Sequence, residues 1–222
     1  MARSRFDPNF SELPEVLPLF PLPGGLLLPG GRLPLNIFEP RYLAMIQEAM
    51  KGMRLIGMVQ PQEELDAGAD AGAAPLFAIG CAGRIVAFEE SEEEQIFIAL
   101  SGLIRFAIRE ELPLQNGYRR AKVNWSDYRQ DLTSSGELTL DRPRFLSILR
   151  RYFAVAEIEG NWETIRTVSS ERLITSLAMV CPFKPGEKQA LLEAATMNER
   201  VQAMIAFMEL ATLEQQSGQV RH

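Results

Sequence analysis

Hydrophobic residues follow a strand-like pattern through the first half of the chain, in short runs bounded by proline and glycine. The runs over 17–20 and 33–38 predict buried strands joined by tight turns. Ile104 and Phe106 alternate with polar residues such as Arg105, which predicts one buried and one solvated face. The same signals predict further strands over 55–59, 77–88, 96–108 and 121–125.

Helical spacing of apolar residues appears once early in the chain and then dominates its second half. Pro40 suits the first turn of a helix, and the spacing extends that helix over 41–50. From Arg142 onward the spacing stays helical, with breaks where Pro182 follows Cys181 and where Pro185 opens a short helix. A run of strands followed by a run of helices predicts an α+β fold in two lobes.

The predicted organisation has a β-rich first lobe and a helical second lobe, with polar segments around them. Residues 60–75 are rich in Ala, Gly and Asp, which is typical of a mobile loop. Gly80 and Gly83 lie inside a predicted strand and indicate a bulge or a close backbone approach. The predicted bounds are a flexible arm over 1–12, a β-rich lobe over 13–128, a linker over 129–141, a helical bundle over 142–215 and a disordered tail over 216–222.

Composition and charge narrow the class of protein. The chain has 222 residues, of which 46% are hydrophobic and 23% charged, as is usual for a globular protein. Its apolar runs are too short to span a membrane and its first residues lack a signal-peptide pattern, so we expect a cytoplasmic location. Cys81 and Cys181 alone cannot form a disulfide framework or a zinc site. The net charge of −6 argues against nucleic-acid binding, although two groups of basic residues leave that possibility open. These groups are Arg119, Arg120 and Lys122, and Arg142, Arg144, Arg150 and Arg151.

No catalytic motif emerges from the sequence. The chain has no Gly-Lys-Ser or Gly-Lys-Thr for nucleotide binding, and no lysine near Ser101 or Ser147 that would make a serine–lysine peptidase. The single histidine is His222 at the end of the chain, which excludes Ser–His and Cys–His systems. Five glutamates within 89–94 could bind a cation, but acids crowded at a hairpin tip are more often only solvated. We therefore expect no cofactor, no metal and no enzymatic activity.

Four segments carry a specific resemblance. LPLFPLPGG, LLLPGG, LPLNIFEPRY and GCAGRI, which begin at Leu17, Leu26, Leu33 and Gly80, resemble the N-terminal substrate-recognition domain of Lon proteases. The similarity is greatest to stand-alone bacterial proteins made of that domain. It implies a distorted, PUA-like β-barrel lobe with one helix, a C-terminal helical bundle, and binding of unfolded or tagged polypeptides without ATP. Gly25 departs from the bulky apolar residue that is common there.

The resemblance and the apolar pattern together predict a peptide-binding surface around the first helix. Glu39 is either a polar anchor at the mouth of a cleft or a helix N-terminal acid paired with an arginine. Four methionines either line a groove or fill the core; they are Met45, Met50, Met53 and Met58. The predicted peptide-binding residues are Phe20, Phe38, Glu39, Arg41, Tyr42, Met45 and Phe77.

Two other functions stay open at this point. The chain could be an adaptor that docks on a protease or chaperone, with the last helix presenting Met204 and Met208 to the partner. RNA binding through the barrel is a third interpretation, which rests on fold analogy alone.

Overall fold

The structure is a computed structural model that describes residues 4–62, 74–91, 95–133 and 138–219. Its strands are β1 (Val16–Pro21), β2 (Arg32–Ile37), β3 (Leu55–Val59), β4 (Ile79–Glu90), β5 (Ile96–Gln115) and β6 (Tyr118–Asn124). Its α-helices are α1 (Pro40–Met50), α2 (Arg142–Val155), α3 (Trp162–Thr167), α4 (Ser170–Val180), α5 (Pro185–Glu193) and α6 (Met197–Gln219), with short 3₁₀ helices at Phe10–Glu12 and Ser126–Leu132. The predicted α+β fold, with its strands first and its helical bundle second, is confirmed.

The six strands form a barrel with a sheet extension on one side. Their order is β2-β5-β4-β3-β1-β6, and β5 also pairs with β6, which closes β5, β4, β3, β1 and β6 into a ring. The 20-residue strand β5 makes this possible because its two halves have different partners. Its first half pairs with β2, from Ile96 opposite Ile37 to Ser101 opposite Arg32. Its second half pairs with β6. We call the three-stranded part formed by β2, the first half of β5 and the end of β4 the sheet extension.

The glycines inside β4 act as the sequence predicts. The register between β4 and β5 shifts between Ala82 and Gly83, which is the expected bulge. A Cβ on Gly80 would lie 2.6 Å from the backbone oxygen of Met58. Gly80 therefore lets neighbouring backbones approach closely, and a side chain there would force them apart. Gly83 instead leaves room for the Leu27 and Leu100 side chains.

One helix escapes the sequence pattern. α3 has only six residues and buries none of them, so it carries no apolar stripe that would reveal it. Its start is fixed by the Asn161 side chain, which accepts a hydrogen bond from the backbone N–H of Thr164. The sequence signal for this helix was therefore its capping residue, Asn161, and not a periodic pattern of hydrophobic residues.

The helical lobe packs on the barrel and buries a residue that the sequence assigns to a solvated face. Arg105 is only 3% exposed. Its guanidinium donates to the Asp131 carboxylate. It also donates to two backbone oxygens at the end of α5, those of Leu192 and Ala194. The solvated face predicted for Arg105 is therefore wrong, because α5 and the second 3₁₀ helix cover this side of the barrel.

The polar segments at the lobe boundaries are partly ordered. Asp7, in the predicted arm, forms an ion pair with Arg84 in β4 at 2.8 Å, with both side chains largely buried. The predicted linker begins inside the Ser126–Leu132 helix, and α6 continues to Gln219. Much of the predicted 60–75 loop, Glu92–Glu94 of the acidic group and His222 lie outside the described residues. The helices that the structure describes include none long and apolar enough to cross a bilayer, and the cytoplasmic location stays a prediction.

Candidate functional site

Three phenylalanines are exposed at the outer end of the sheet extension. Phe38, Phe88 and Phe97 are 63%, 38% and 47% exposed. Phe97 lies in β5 opposite Glu89 of β4, next to Phe88, and Phe38 follows the last residue of β2. Phe88 lies opposite Ile98 and therefore on the other face of the sheet from Phe97, so the rings flank the edge of the extension on both faces. Exposed aromatic rings around a sheet edge are typical of interaction surfaces. We call these three residues the phenylalanine patch.

The exposure of Phe97 follows from the pleat of β5. Ile96 and Ile98 are buried in the core on one face of the strand, so the residue between them points to the other face. In most half-buried strands that position is polar. Here it is a phenylalanine, which places a large apolar side chain where the pleat cannot bury it.

The polar residues beside the patch are already paired. Glu39 and Arg41 form an ion pair at 2.8 Å at the start of α1, and the Arg41 guanidinium also lies 4.8 Å from the centre of the Tyr42 ring. This arrangement supports the interpretation of Glu39 as a helix N-terminal acid paired with an arginine. The Asn36 amide donates to Gln95 at 2.7 Å, which links β2 to the start of β5.

The sheet extension has two edges, and they differ in their ability to pair with another strand. β2 forms one edge and carries Pro34, which has no N–H to donate. At the other edge, β3 pairs with β4 only from Cys81 to Arg84. Among the strands that the structure describes, the β4 edge from Val86 to Glu90 therefore has a partner only in β5. Because this segment contains no proline, it is the better template for an added strand.

Several residues predicted to bind peptide lie inside the protein. Phe20, Tyr42 and Met45 are 6%, 5% and 1% exposed, and the Phe20 and Tyr42 rings contact each other edge to face at 4.3 Å. The structure corrects their assignment as contact residues, because a ligand in solvent cannot reach them. They fill the space between α1 and the sheet. Phe77 is half-buried and its N–H donates to the backbone oxygen of Gln60, on a different part of the barrel.

The methionines around α1 divide between the two predicted roles. Met45 and Met58 belong to the core, and Met50 is half-buried. Met53 is 39% exposed in the turn after the helix. The sequence could not separate these roles because all four side chains are apolar and close together along the chain.

Sequence reasoning missed two of the three patch residues. The signal was present at Phe97, since an aromatic residue interrupts the polar phase of an otherwise regular strand. Phe88 follows a second irregularity, a register shift between Ile85 and Ala87, so its orientation depended on a bulge that one sequence does not reveal.

The surfaces behind the two alternative functions are mostly occupied. Met204 and Met208 are fully buried, so the prediction that they meet a partner is wrong; they pack into the core under α6. Of the basic residues, Arg119 pairs with Glu111 and Lys122 with Glu110. Arg142 donates to Ser170 and to backbone oxygens that include that of Val168. These basic side chains therefore have protein partners, and the exposed members of the two groups are Arg144, Arg150 and Arg151.

The two buried cysteines argue against nucleophilic chemistry at a thiol, and the buried Lys188 amine is held by a backbone oxygen. Burial raises the pKa of the Cys181 thiol to about 12, and burial also raises the pKa of Cys81. Such thiols carry almost no thiolate near neutral pH. Lys188 donates to the backbone oxygen of Gly24 at 2.6 Å, and burial lowers its pKa. Within the described parts of the chain, no group of three or more His, Cys, Asp or Glu residues could hold a metal ion.

Fold and surface together define a class of domain: a closed barrel and a helical bundle that share a core and expose an apolar sheet extension. The family model of the ATP-dependent protease La (LON) substrate-binding domain matches residues 16–209, so the chain belongs to this family. Lon protease 2 of Myxococcus xanthus is 28% identical over 208 residues, which cover 90% of this chain and 24% of that protein. The Lon protease of Flavobacterium johnsoniae is also 28% identical, over 93% of this chain and 26% of its own length. The chain thus spans about a quarter of these relatives.

Solved structures show the same architecture. The crystal structure of a Lon N-terminal domain protein from Xanthomonas campestris has a TM-score of 0.59 and 25% identity, covering 87% of this chain and 98% of its own. The N-terminal domain of the Mycobacterium avium complex Lon protease has a TM-score of 0.57, and its 15% identity bears on the fold alone. The resemblance expected from the four sequence segments is confirmed.

Proposed function

We propose that this chain binds extended, apolar segments of unfolded polypeptides at the phenylalanine patch, without ATP and without catalysis. One observation carries the proposal: Phe38, Phe88 and Phe97 are exposed around an open strand edge, with Phe88 on one face of the sheet and Phe97 on the other. Aromatic rings bind varied apolar side chains, and a strand edge binds any backbone, so the combination suits ligands of many sequences.

The family supports the polypeptide as the class of ligand. The matching model describes a substrate-binding domain of an ATP-dependent protease, and the substrates of a protease are polypeptides. The matches to full-length Lon proteases are confined to their N-terminal part, which agrees with a recognition role that is separate from hydrolysis. A cytoplasmic setting, where unfolded chains arise, belongs to the same proposal.

Fluorescence anisotropy with a labelled, permanently unfolded protein tests the proposed binding of unfolded polypeptides. Reduced and carboxymethylated lactalbumin is titrated with the protein in the absence of nucleotide. We expect saturable binding in the micromolar range. Since both rings lie on the surface, the double variant Phe38→Ser/Phe97→Ser should keep its fold, checked by circular dichroism, and bind at least about tenfold more weakly, a loss of about 1.4 kcal/mol.

Leu114 provides the matched control, because it is 63% exposed but lies near the far end of β5, in its hairpin with β6. Leu114→Ser removes an equally exposed apolar side chain and should leave the affinity unchanged. Equal losses for Leu114→Ser and the double variant would refute the patch as the site. Absence of binding at several hundred micromolar protein would refute the function.

A further inference from the structure

Arg54 occupies a special position at the end of the open β4 edge. Its backbone oxygen accepts the N–H of Ile85 at 2.8 Å, and the next residue, Leu55, starts the pairing of β3 with β4. Arg54 therefore lies at the boundary between the part of β4 that pairs with β3 and the open edge over Val86–Glu90. Its φ of 60° is in the left-handed region, which is unfavourable for arginine.

Two cavities meet at the turn that carries Arg54. The first, about 260 Å³, lies between the end of α1 and the barrel, with Met45, Ala49 and Leu55 among its apolar walls. It is smaller than the roughly 300–1,000 Å³ of small-molecule sites, so it suits one apolar side chain. The second, about 650 Å³, extends between the N-terminal arm and β4 as far as Val86. Gly52, Met53 and Arg54 border both cavities.

Four arginines line these cavities, and three of them have partners. Arg84 pairs with Asp7, Arg120 donates to the oxygens of Pro113 and Gln115, and Arg5 lies over the Phe6 ring. Glu48 pairs with Lys51 at 2.8 Å, Asp7 pairs with Arg84, and Glu12 accepts the backbone N–H of Asn9. Every acid lining the two cavities thus has a donor. The exposed Arg54 side chain has no hydrogen bond or ion pair to any residue that the structure describes. A carboxylate approaching this turn would therefore meet an uncompensated guanidinium.

The direction of an added strand decides which carboxylate could reach the Arg54 guanidinium. β3 runs antiparallel to β4, from Leu55 opposite Arg84 to Met58 opposite Cys81. A polypeptide that pairs antiparallel with Val86–Glu90 would run in the same direction as β3. It would lie next to β4 in the position that β3 would occupy if β3 were extended backward. Its N-terminal side would lie near the phenylalanine patch, and its C-terminal end would point at Arg54. The turn that carries Arg54 blocks further extension in that direction.

We infer that Arg54 binds the C-terminal carboxylate of a polypeptide that pairs with the β4 edge and places an apolar last side chain in the smaller cavity. This inference rests on the proposed function and names its ligand: an unfolded chain recognised by its C-terminus. Val86, where the open edge begins, and Phe88 are two residues apart in β4, about 7 Å at the usual rise of a strand. The ligand should therefore carry an aromatic residue about two positions before its end.

The test uses three labelled peptides and the full chain. The first is fluorescein-Gly-Ala-Ala-Phe-Ala-Leu with a free C-terminus, the second is its C-terminal amide, and the third is the amide with aspartate before leucine. We expect the free acid to bind at least about tenfold more tightly than either amide. Arg54→Asn removes the cation and suits a positive φ; it should abolish this preference and leave amide binding unchanged. Arg144→Asn, at another exposed arginine, should preserve the preference.

The outcomes separate the two proposals. Equal binding of acid and amide to the unaltered protein overturns the Arg54 site and leaves the phenylalanine patch intact. Tight binding of the aspartate peptide overturns recognition of the C-terminus. A preference that survives Arg54→Asn overturns the role of Arg54. If no peptide binds at several hundred micromolar, the inference falls together with the proposed function.

Discussion

At the scale of single residues, we expect the buried ion pair between Arg105 and Asp131 to contribute most to stability. The Arg105 guanidinium donates to both Asp131 oxygens, at 2.9 and 2.8 Å, and the two side chains are only 4% and 8% exposed. Removing the carboxylate would leave a buried, unpaired charge, so Asp131→Ala should lower the free energy of unfolding by about 3–5 kcal/mol. Urea denaturation followed by circular dichroism measures this.

A second ion pair provides the control at this scale. Lys122 and Glu110 are also 2.8 Å apart, but their side chains are 44% and 58% exposed. Solvent screens such a pair, so Glu110→Ala should leave the free energy of unfolding almost unchanged. Similar losses in both variants would show that burial does not distinguish the pairs. The sequence could not predict this difference, because Arg105 alternates with apolar residues just as a solvated side chain does.

Among the elements, β5 and the turn that crosses it are joined by backbone hydrogen bonds at Gly102. The backbone of Gly102 exchanges hydrogen bonds with Gly30 and Gly31, both at 2.9 Å, at the end of the LLLPGG segment. A Cβ on Gly102 would collide with the backbone oxygen of Leu28. Because that atom belongs to the backbone and cannot rotate away, Gly102→Ala should lower the free energy of unfolding by about 1–3 kcal/mol.

Gly186 is the matched position for this substitution. It lies near the start of α5, and a Cβ there would meet nothing within 4 Å. Gly186→Ala should therefore raise stability by up to about 1 kcal/mol, because alanine favours the helix and restricts the unfolded chain. Thermal unfolding of both variants measures the contrast. A neutral Gly102→Ala would show that β5 and the turn can separate without cost.

Element types were predictable from the sequence because period and punctuation are local properties. The predicted bounds of β3 and the predicted end of α1 match the structure to the residue, and the glycines in β4 correctly predict a bulge. The site was less predictable, since exposure depends on what packs from elsewhere. Phe20 and Phe38 look alike in the sequence, yet Phe20 is buried and Phe38, after the end of β2, is exposed.

For the whole molecule, the two lobes share their core and should unfold together. Met45 and Ile46 of α1 belong to the same buried cluster as Phe145 and Leu149 of α2. Polar contacts also cross the boundary: the Gln60 amide donates to Gln189 at 3.2 Å, and Lys188 reaches Gly24. Separating the lobes would expose this cluster to water and leave Arg105 without its α5 acceptors. We therefore expect a single cooperative transition.

The two tryptophans can test this because each reports on one lobe. Trp125 follows β6 and its indole N–H donates to the backbone oxygen of Pro14 at 2.9 Å, whereas Trp162 packs on Phe153 in the helical lobe. In the variants Trp125→Phe and Trp162→Phe, the remaining tryptophan follows the unfolding of its own lobe in urea. For each variant we expect the fluorescence midpoint to coincide with the midpoint from far-ultraviolet circular dichroism. A helical lobe that loses its fluorescence signal at lower urea than the total secondary structure would show that the shared core does not couple the lobes. The β4 edge and Arg54 would then have to recognise polypeptides on a barrel that can stand alone.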